Sequence, residues 1–202
     1  MQAKRGQVRE RIFRVLLNHS KEKLTKYRIA KEAKANIAWV IKTLRKLEKD
    51  EIVQVTEIKN YEKLIRVWKE LRTKPDKREY MIRDPLEVIR KTDMKYALTT
   101  YSAENLVQKY LFPTRTDFYI MPEDMKKWHE LLSEKGLVGK GNVRMLMADE
   151  HVFYKSFVKE GLTIVSIPQL IVDLMTEGAA AAEAADMLIK KEKQNALSGL
   201  RD

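Results

Sequence analysis

Residues 36–53 read NIAWVIKTLRKLEKDEIV, and this stretch decides the fold of the first part of the chain. Its apolar residues Val40, Leu44 and Leu47 recur at the spacing of one helical face. Asn36 is a residue type that favours the position just before a helix. The alternating stretch 52–56, Ile-Val-Gln-Val-Thr, then predicts a strand. We therefore expect a helix that begins near Asn36 and leads directly into a strand.

Two shorter helices are predicted before this one. Within residues 7–18, Val8, Ile12, Val15 and Leu16 recur at helical spacing. Thr25 is suited to cap a second helix that runs to about Ala33. The N-terminal part should therefore consist of three short helices followed by a strand.

This order of elements, with a third helix that ends as LRKLEKDEIV, resembles the winged helix-turn-helix superfamily of bacterial and archaeal regulators over about residues 7–60. In that superfamily the third helix lies in the major groove of DNA, and the following hairpin, the wing, contacts the backbone or minor groove. The turn before the third helix departs from the pattern, because it reads Lys34-Ala35 where a glycine is frequent.

The positive charge is concentrated in the same part of the chain. The 202 residues carry a net charge of +11. Residues 1–80 contain 23 Lys and Arg against 11 Asp and Glu, a net +12, whereas residues 81–202 contain 17 against 18, a net −1. A basic block followed by a neutral block indicates that the first part faces a polyanion, and we expect double-stranded DNA.

The third helix supplies the candidate contacts. Lys34 and Asn36 precede its positive end, where backbone amides and side chains hold phosphate. Asn36, Lys42 and Arg45 have side chains that can read base edges. The predicted nucleic-acid-binding residues are Lys34, Asn36, Trp39, Lys42, Arg45 and Lys46. For Trp39 partial burial is the more common role of such a side chain.

The remainder of the chain predicts a mixture of helices and strands. Strand patterns occur at 79–82, 96–100, 117–120, 143–147 and 162–166, and Ser102 is suited to cap a helix after the second of them. Helices are expected after Pro85, Pro122, Pro168 and Gly178. We expect an α+β protein with a winged helix-turn-helix domain and connecting helix over residues 1–76, and a mixed α/β domain over 77–202 that offers a partner or oligomerisation surface.

Three phrases in the second half follow, in order, the pattern of the AbiEi-like antitoxin family. They are YALTTYSAEN at 96–105, DFYI at 117–120 and VSIPQLIVDL at 165–174, and with the N-terminal part the resemblance covers most of the chain. Members of that family are regarded as transcriptional regulators of type IV toxin-antitoxin and phage-defence loci. The resemblance implies a nucleotidyltransferase-like toxin as partner and repression of the chain's own promoter.

Composition excludes several other classes of protein. The absence of Cys excludes disulfides, thiolate zinc sites and a Cys nucleophile. His19, His129 and His151 are far apart in sequence, so we expect neither a metal nor a cofactor. The sequence contains no signal-peptide pattern and no long apolar run, which predicts a cytoplasmic protein that does not enter a membrane. A homodimer is compatible with the alanine-rich stretch at 179–185.

Two alternative functions stay open. Asp117, followed by Asp124 and Lys126, loosely resembles the two acids and lysine of metal-dependent nucleases, so an active or degenerate nuclease is one alternative. A winged helix also serves in some proteins as an adaptor that binds protein alone. We expect a non-enzymatic DNA-binding regulator with no catalytic residues.

Overall fold

The structure is a computed structural model that describes residues 5–198. The fold is α+β. Contacts divide the chain into two compact units. Of the described residues, unit 1 contains 5–73, Ile167–Thr176 and 185–198. Unit 2 contains Lys74–Ser166 and Glu177–Ala184.

The N-terminal part of unit 1 is three helices, a hairpin and a fourth helix. These are α1 (Arg5–Asn18), α2 (Lys26–Glu32), α3 (Ile37–Lys49), β1 (Val53–Gln54), β2 (Glu57–Ile58) and α4 (Tyr61–Leu71). The two predicted caps are confirmed: the Thr25 side chain accepts from the Arg28 amide, and the Asn36 side chain from the Ala38 amide. Both helices begin where their first amides gain an acceptor.

The predicted strand at 52–56 is wrong in extent. The chain turns at Val55, which has a left-handed φ of 60°, so the stretch forms β1 and the start of an antiparallel hairpin. Two bonds hold the turn: the Val55 amide donates to Glu48 at 2.8 Å, and the buried Thr56 hydroxyl donates to the Leu24 carbonyl at 2.6 Å. An alternating pattern cannot reveal a turn that distant residues stabilise.

Unit 2 is built on one mixed sheet. Its elements are β3 (Asp76–Ile82), α5 (Pro85–Arg90), β4 (Ala97–Thr99), α6 (Thr100–Gln108), β5 (Thr116–Ile120), α7 (Met125–Lys135), β6 (Gly136–Val138), β7 (Val143–Met147), β8 (Phe157–Lys159) and β9 (Leu162–Ile164). Within the described chain, seven strands follow the order β6-β3-β7-β5-β4-β9-β8. The β5–β7 and β4–β9 pairs are parallel and the other pairs antiparallel. Every residue of the central strand β5 is buried, and Phe118 packs against Trp128 of α7 with ring centroids 4.8 Å apart.

Two sequence predictions in unit 2 need correction. Ser102 does not cap a helix, because α6 already begins at Thr100, and the Ser102 hydroxyl instead bonds to Thr116 and to the Arg115 carbonyl. The short strands β6 and β8 were not predicted. Each has three residues and lies at an edge of the sheet, so neither carries the longer alternation by which a strand is recognised.

Two further helices follow within the described residues: α8 (Ile167–Glu177) and α9 (Ala179–Ser198). Most of α8 and the later part of α9 belong to unit 1, although they follow unit 2 in sequence. Two ion pairs attach them to α4 and its end: Arg72 pairs with the buried Asp173, and Lys193 with Glu62 at 2.7 Å. The hydrogen bonds from Lys193 and Arg66 lower the pKa of Glu62 to about 2. The N-terminal helices therefore share their unit with helices nearly 100 residues away in sequence.

No helix among residues 5–198 is long and apolar enough to cross a membrane.

Candidate nucleic-acid interface

Helix α3 is amphipathic, with its apolar side packed in unit 1. Val40, Leu44 and Leu47 are buried, as the spacing predicted. The opposite side is exposed and carries Ala38, Lys42, Arg45 and Lys49. Ala38 is small and lies in the first turn, and the three cations follow it along the helix. This exposed side of α3 has the size and charge to enter a DNA groove.

The start of α3 is shaped by Lys34 and Asn36. Lys34 adopts a left-handed φ of 47°, the conformation for which a glycine is frequent in such turns, so the turn forms without one. Both residues are exposed beside the helix N-terminus. The Asn36 side-chain oxygen accepts from the Ala38 amide at 2.8 Å. Its NH₂ group is the part that is suited to donate to a phosphate or a base.

Trp39 and Lys46 lie to one side of the exposed surface, in a groove. This α1–α3–α4 groove, of about 310 Å³, is lined by Arg9 and Phe13 of α1, Trp39 and Lys46 of α3, and Val67 and Leu71 of α4, among others. Lys42 reaches its edge, with Nζ 5.5 Å from the Trp39 ring centroid. The structure thus separates the six candidates: Lys42 and Arg45 lie outward, Lys34 and Asn36 lie at the helix start, and Trp39 and Lys46 flank the groove.

Two exposed apolar residues, one in α3 and one in α2, were missed by the sequence analysis. Ile37, in the first turn, is 44% exposed, and Tyr27, in the first turn of α2, is 72% exposed. An apolar side chain at the start of a recognition helix is suited to contact a thymine methyl, and a tyrosine hydroxyl to contact a phosphate. A sequence signal for their exposure was present. Each residue follows a predicted helix cap by one or two positions and lies outside the buried apolar face of its helix.

Arg28 of α2 is tied into an ion-pair cluster. Its guanidinium donates to Glu32 at 2.6 Å and to Glu22 at 2.8 Å, and these hydrogen bonds raise the pKa of Arg28. The buried His19 ring lies between the same two carboxylates, at 2.7 Å from Glu22 and 3.0 Å from Glu32. The hydrogen bonds from His19 and Arg28 lower the pKa of Glu22. This cluster joins the end of α1 to α2, and its carboxylates neutralise the charge of Arg28 within the protein.

The hairpin contributes little positive charge. Residues 53–58 contain no Lys or Arg. The neighbouring lysines Lys23 and Lys59 both pair with Glu57, at 3.6 and 3.4 Å. Helix α3 therefore presents more exposed cationic side chains than the hairpin does.

A buried ionic cluster occupies the position in unit 2 where the nuclease alternative would need a metal ligand. Asp117 is fully buried, and its carboxylate accepts from Arg115 at 2.7 and 2.9 Å, from Arg144 at 2.6 Å and from the Thr100 hydroxyl. Thr100 has a left-handed φ of 50°, which is unusual for a β-branched residue. Two guanidinium groups therefore already neutralise Asp117, and a cation would have to displace them.

Lys126 and the acids of the described chain give no further support to a metal site. Lys126 lies within 4.0 Å of Glu130, one turn along α7. Among residues 5–198, no group of three or more His, Asp or Glu side chains is placed to hold a metal ion.

Comparison with known proteins found no family model, no curated protein and no solved structure that matches this chain.

Proposed function

We propose that the chain is a double-stranded DNA-binding regulator in which α1–α3 and the β1–β2 hairpin act as a winged helix-turn-helix and α3 enters the major groove. One observation carries the proposal: the side of α3 opposite Val40, Leu44 and Leu47 is exposed and presents Lys42, Arg45 and Lys49 in succession. The +12 charge of residues 1–80 supports it, because phosphate contacts supply most of the affinity of such domains.

Two kinds of contact follow from this arrangement. Arg45 and Lys42 lie on the outward side, where a long cationic side chain reaches a guanine edge or a phosphate. Lys34 and the Asn36 NH₂ group lie at the helix start and would hold the backbone on one strand. Lys23 and Lys59 beside the hairpin both pair with Glu57. In this proposal α3 is therefore the main contact with DNA.

The specific biological role proposed is that of an antitoxin-type autorepressor in the cytoplasm. Its support is the resemblance of residues 96–105, 117–120 and 165–174 to the AbiEi-like family. On this proposal a nucleotidyltransferase-like toxin is the protein partner, and the chain acts on its own promoter, alone or as a homodimer.

Fluorescence anisotropy with the full chain tests the DNA-binding step. The probes are a labelled duplex from the chain's own upstream region and a random duplex of equal length, each titrated over several salt concentrations. We expect the upstream duplex to bind tens of times more tightly, with a log–log salt slope that reports several phosphate contacts. No binding of either duplex at about 150 mM salt would reject DNA binding and leave the adaptor function.

Matched charge variants locate the interface. The double variant Lys42→Gln with Arg45→Gln should weaken binding and reduce the magnitude of the salt slope by roughly 2, since each phosphate contact contributes about 0.9. The control is Lys127→Gln, which removes an exposed charge on α7 of unit 2. Equal losses in the variant and the control would place the interface elsewhere.

A reporter under the upstream region tests the regulatory role. Repression should be present with the full chain and absent with the double variant. A Mg²⁺ incubation of the labelled duplex serves as a cleavage assay, and Mg²⁺-dependent cleavage would favour the nuclease alternative.

A further inference from the structure

The α1–α3–α4 groove has an apolar floor within a single compact unit. Val67 and Leu71 supply apolar surface from α4, the Trp39 ring adds a wall on α3, and the buried Phe13 of α1 lies beneath. Its volume of about 310 Å³ lies at the lower end of the range for small-molecule pockets. A compact apolar body fits within this volume.

The rim of the groove is cationic. Arg9, Lys42 and Lys46 line it together with one acidic residue, Asp50. The net charge of these side chains is +2, so an anionic group is favoured at the rim over a cationic one. Lys42 and Lys46 are both exposed, which allows their ammonium groups to reach an anion without a change in the backbone.

Arg9 adds a second indication of an anionic ligand. Its Nε is buried, and within residues 5–198 it has no hydrogen-bond acceptor. A buried donor without an acceptor costs free energy, so a guanidinium in this state gains from a carboxylate that its NH groups can reach. Arg9 belongs to α1 and Lys46 to α3, and both line the groove, so an anion that contacts both would join the two helices.

We propose that the α1–α3–α4 groove binds a small carboxylate with an apolar body, whose carboxylate lies among Arg9, Lys42 and Lys46 and whose body packs on Trp39, Val67 and Leu71. Such a ligand also competes with DNA, because Lys42 belongs both to the rim of the groove and to the exposed side of α3. This second step rests on the proposed DNA-binding function, whereas the ligand site does not.

Calorimetric titration of the full chain with naphthoate, without DNA, tests the site. We expect binding of one naphthoate per chain, and binding at least tenfold weaker for the neutral isostere naphthamide, as the loss of a charge-assisted contact gives. Equal binding of naphthoate and naphthamide, or no naphthoate binding, would overturn the site.

Matched variants on one helix show whether naphthoate binds in this groove. Lys46→Gln should weaken naphthoate binding about tenfold. Lys49→Gln, about one turn further along α3 and outside the groove lining, should leave naphthoate binding unchanged. Val67→Phe should fill the floor and abolish binding while the circular dichroism spectrum and Tm show a folded chain. Equal effects of Lys46→Gln and Lys49→Gln, or full binding by a folded Val67→Phe, would overturn the assignment.

Anisotropy of the upstream duplex with added naphthoate tests the competition. Saturating naphthoate should weaken DNA binding of the wild type several-fold and leave Val67→Phe unaffected. If naphthoate binds in the groove and the DNA affinity stays constant, the competition is rejected. If the chain binds naphthoate in the groove but no DNA under any salt condition, the proposed function fails and the ligand site stands.

Discussion

The Gln169 side-chain oxygen accepts two hydrogen bonds from the Arg14 guanidinium, at 3.0 Å from Nε and 2.6 Å from Nη2. Both side chains are buried, and they join α8 to α1 across 155 residues of sequence. The Gln169 amide donates in turn to Asp173 at 2.7 Å, and the Arg14 guanidinium lies 5.2 Å from the Trp68 ring centroid. This polar network fixes α8 against the helices that hold α3.

Replacing Gln169 with Leu should destabilise unit 1. The substitution keeps the approximate volume but removes the acceptor of two charge-assisted bonds and the donor to Asp173, which costs about 2 kcal/mol in the free energy of unfolding. Urea unfolding followed by Trp fluorescence measures this change. Gln54→Leu on the exposed side of β1 is the control, for which we expect a change within about 0.5 kcal/mol. A Gln169→Leu chain as stable as wild type would show that the network contributes no net stability.

The contribution of α8 to unit 1 could not be predicted from the sequence. Local patterns predicted the helices α1 to α4 and the caps Thr25 and Asn36, because apolar spacing and capping residues act over a few positions. The run from Leu170 to Met175 is buried on all sides, so its pattern contains no periodicity that shows which elements it contacts. Its assignment to unit 1 depends on pairs such as Arg14 with Gln169, which no local pattern reveals.

A fragment of residues 1–76 should therefore unfold without cooperativity. It contains α1–α4 and the hairpin but lacks α8, so Arg14 and Arg72 lose their partners Gln169 and Asp173. Thermal unfolding followed by circular dichroism is the measurement, with the full chain as the reference. A sharp transition in the fragment would show that it folds as an independent domain, which is the division expected from the sequence.

The candidate site was predicted in outline and not in detail. Residue types and helical spacing located Lys42 and Arg45 on the outward side, which needs only the direction of the apolar stripe. They did not show that Trp39 and Lys46 lie at a groove, apart from the outward cations. The α1–α3–α4 groove exists only because α1 and α4 pack beside α3. The exposure of Ile37 was not predicted either, because it depends on how far the neighbouring helices extend.

The ionic cluster of unit 2 should make stability depend on pH through Glu177. Burial alone would raise the pKa of this carboxyl, but hydrogen bonds from Arg144 and Arg115 outweigh burial and lower the pKa below its ordinary value of 4.5. A group with a lowered folded pKa stabilises the protein above the unfolded pKa, and this contribution disappears as the pH falls through the folded value.

Glu177→Gln should accordingly cost about 2 kcal/mol at neutral pH, since it removes the charge that two guanidinium groups contact. The difference from wild type should shrink as the pH falls from 4.5 through the lowered folded pKa, because the wild-type carboxyl then loses its charge. Urea unfolding at several pH values from 7 to 3 provides the comparison, in the range where both proteins fold. Glu134→Gln, an exposed change on α7, is the control. A difference that is independent of pH would show that Glu177 acts through packing rather than charge.

Ile37 provides a test of sequence reading by α3 that is separate from charge. Its side chain is exposed in the first turn of the helix, so Ile37→Ser should change the free energy of unfolding by less than about 0.5 kcal/mol. If the side chain contacts a thymine methyl, the preference for the upstream duplex over the random duplex should fall about tenfold with an unchanged salt slope. Val158→Ser, an exposed apolar position on β8, is the matched control in anisotropy titrations. A parallel loss of affinity for both duplexes would assign Ile37 to folding or to non-specific contact, and base reading would then rest on Lys42, Arg45 and Asn36.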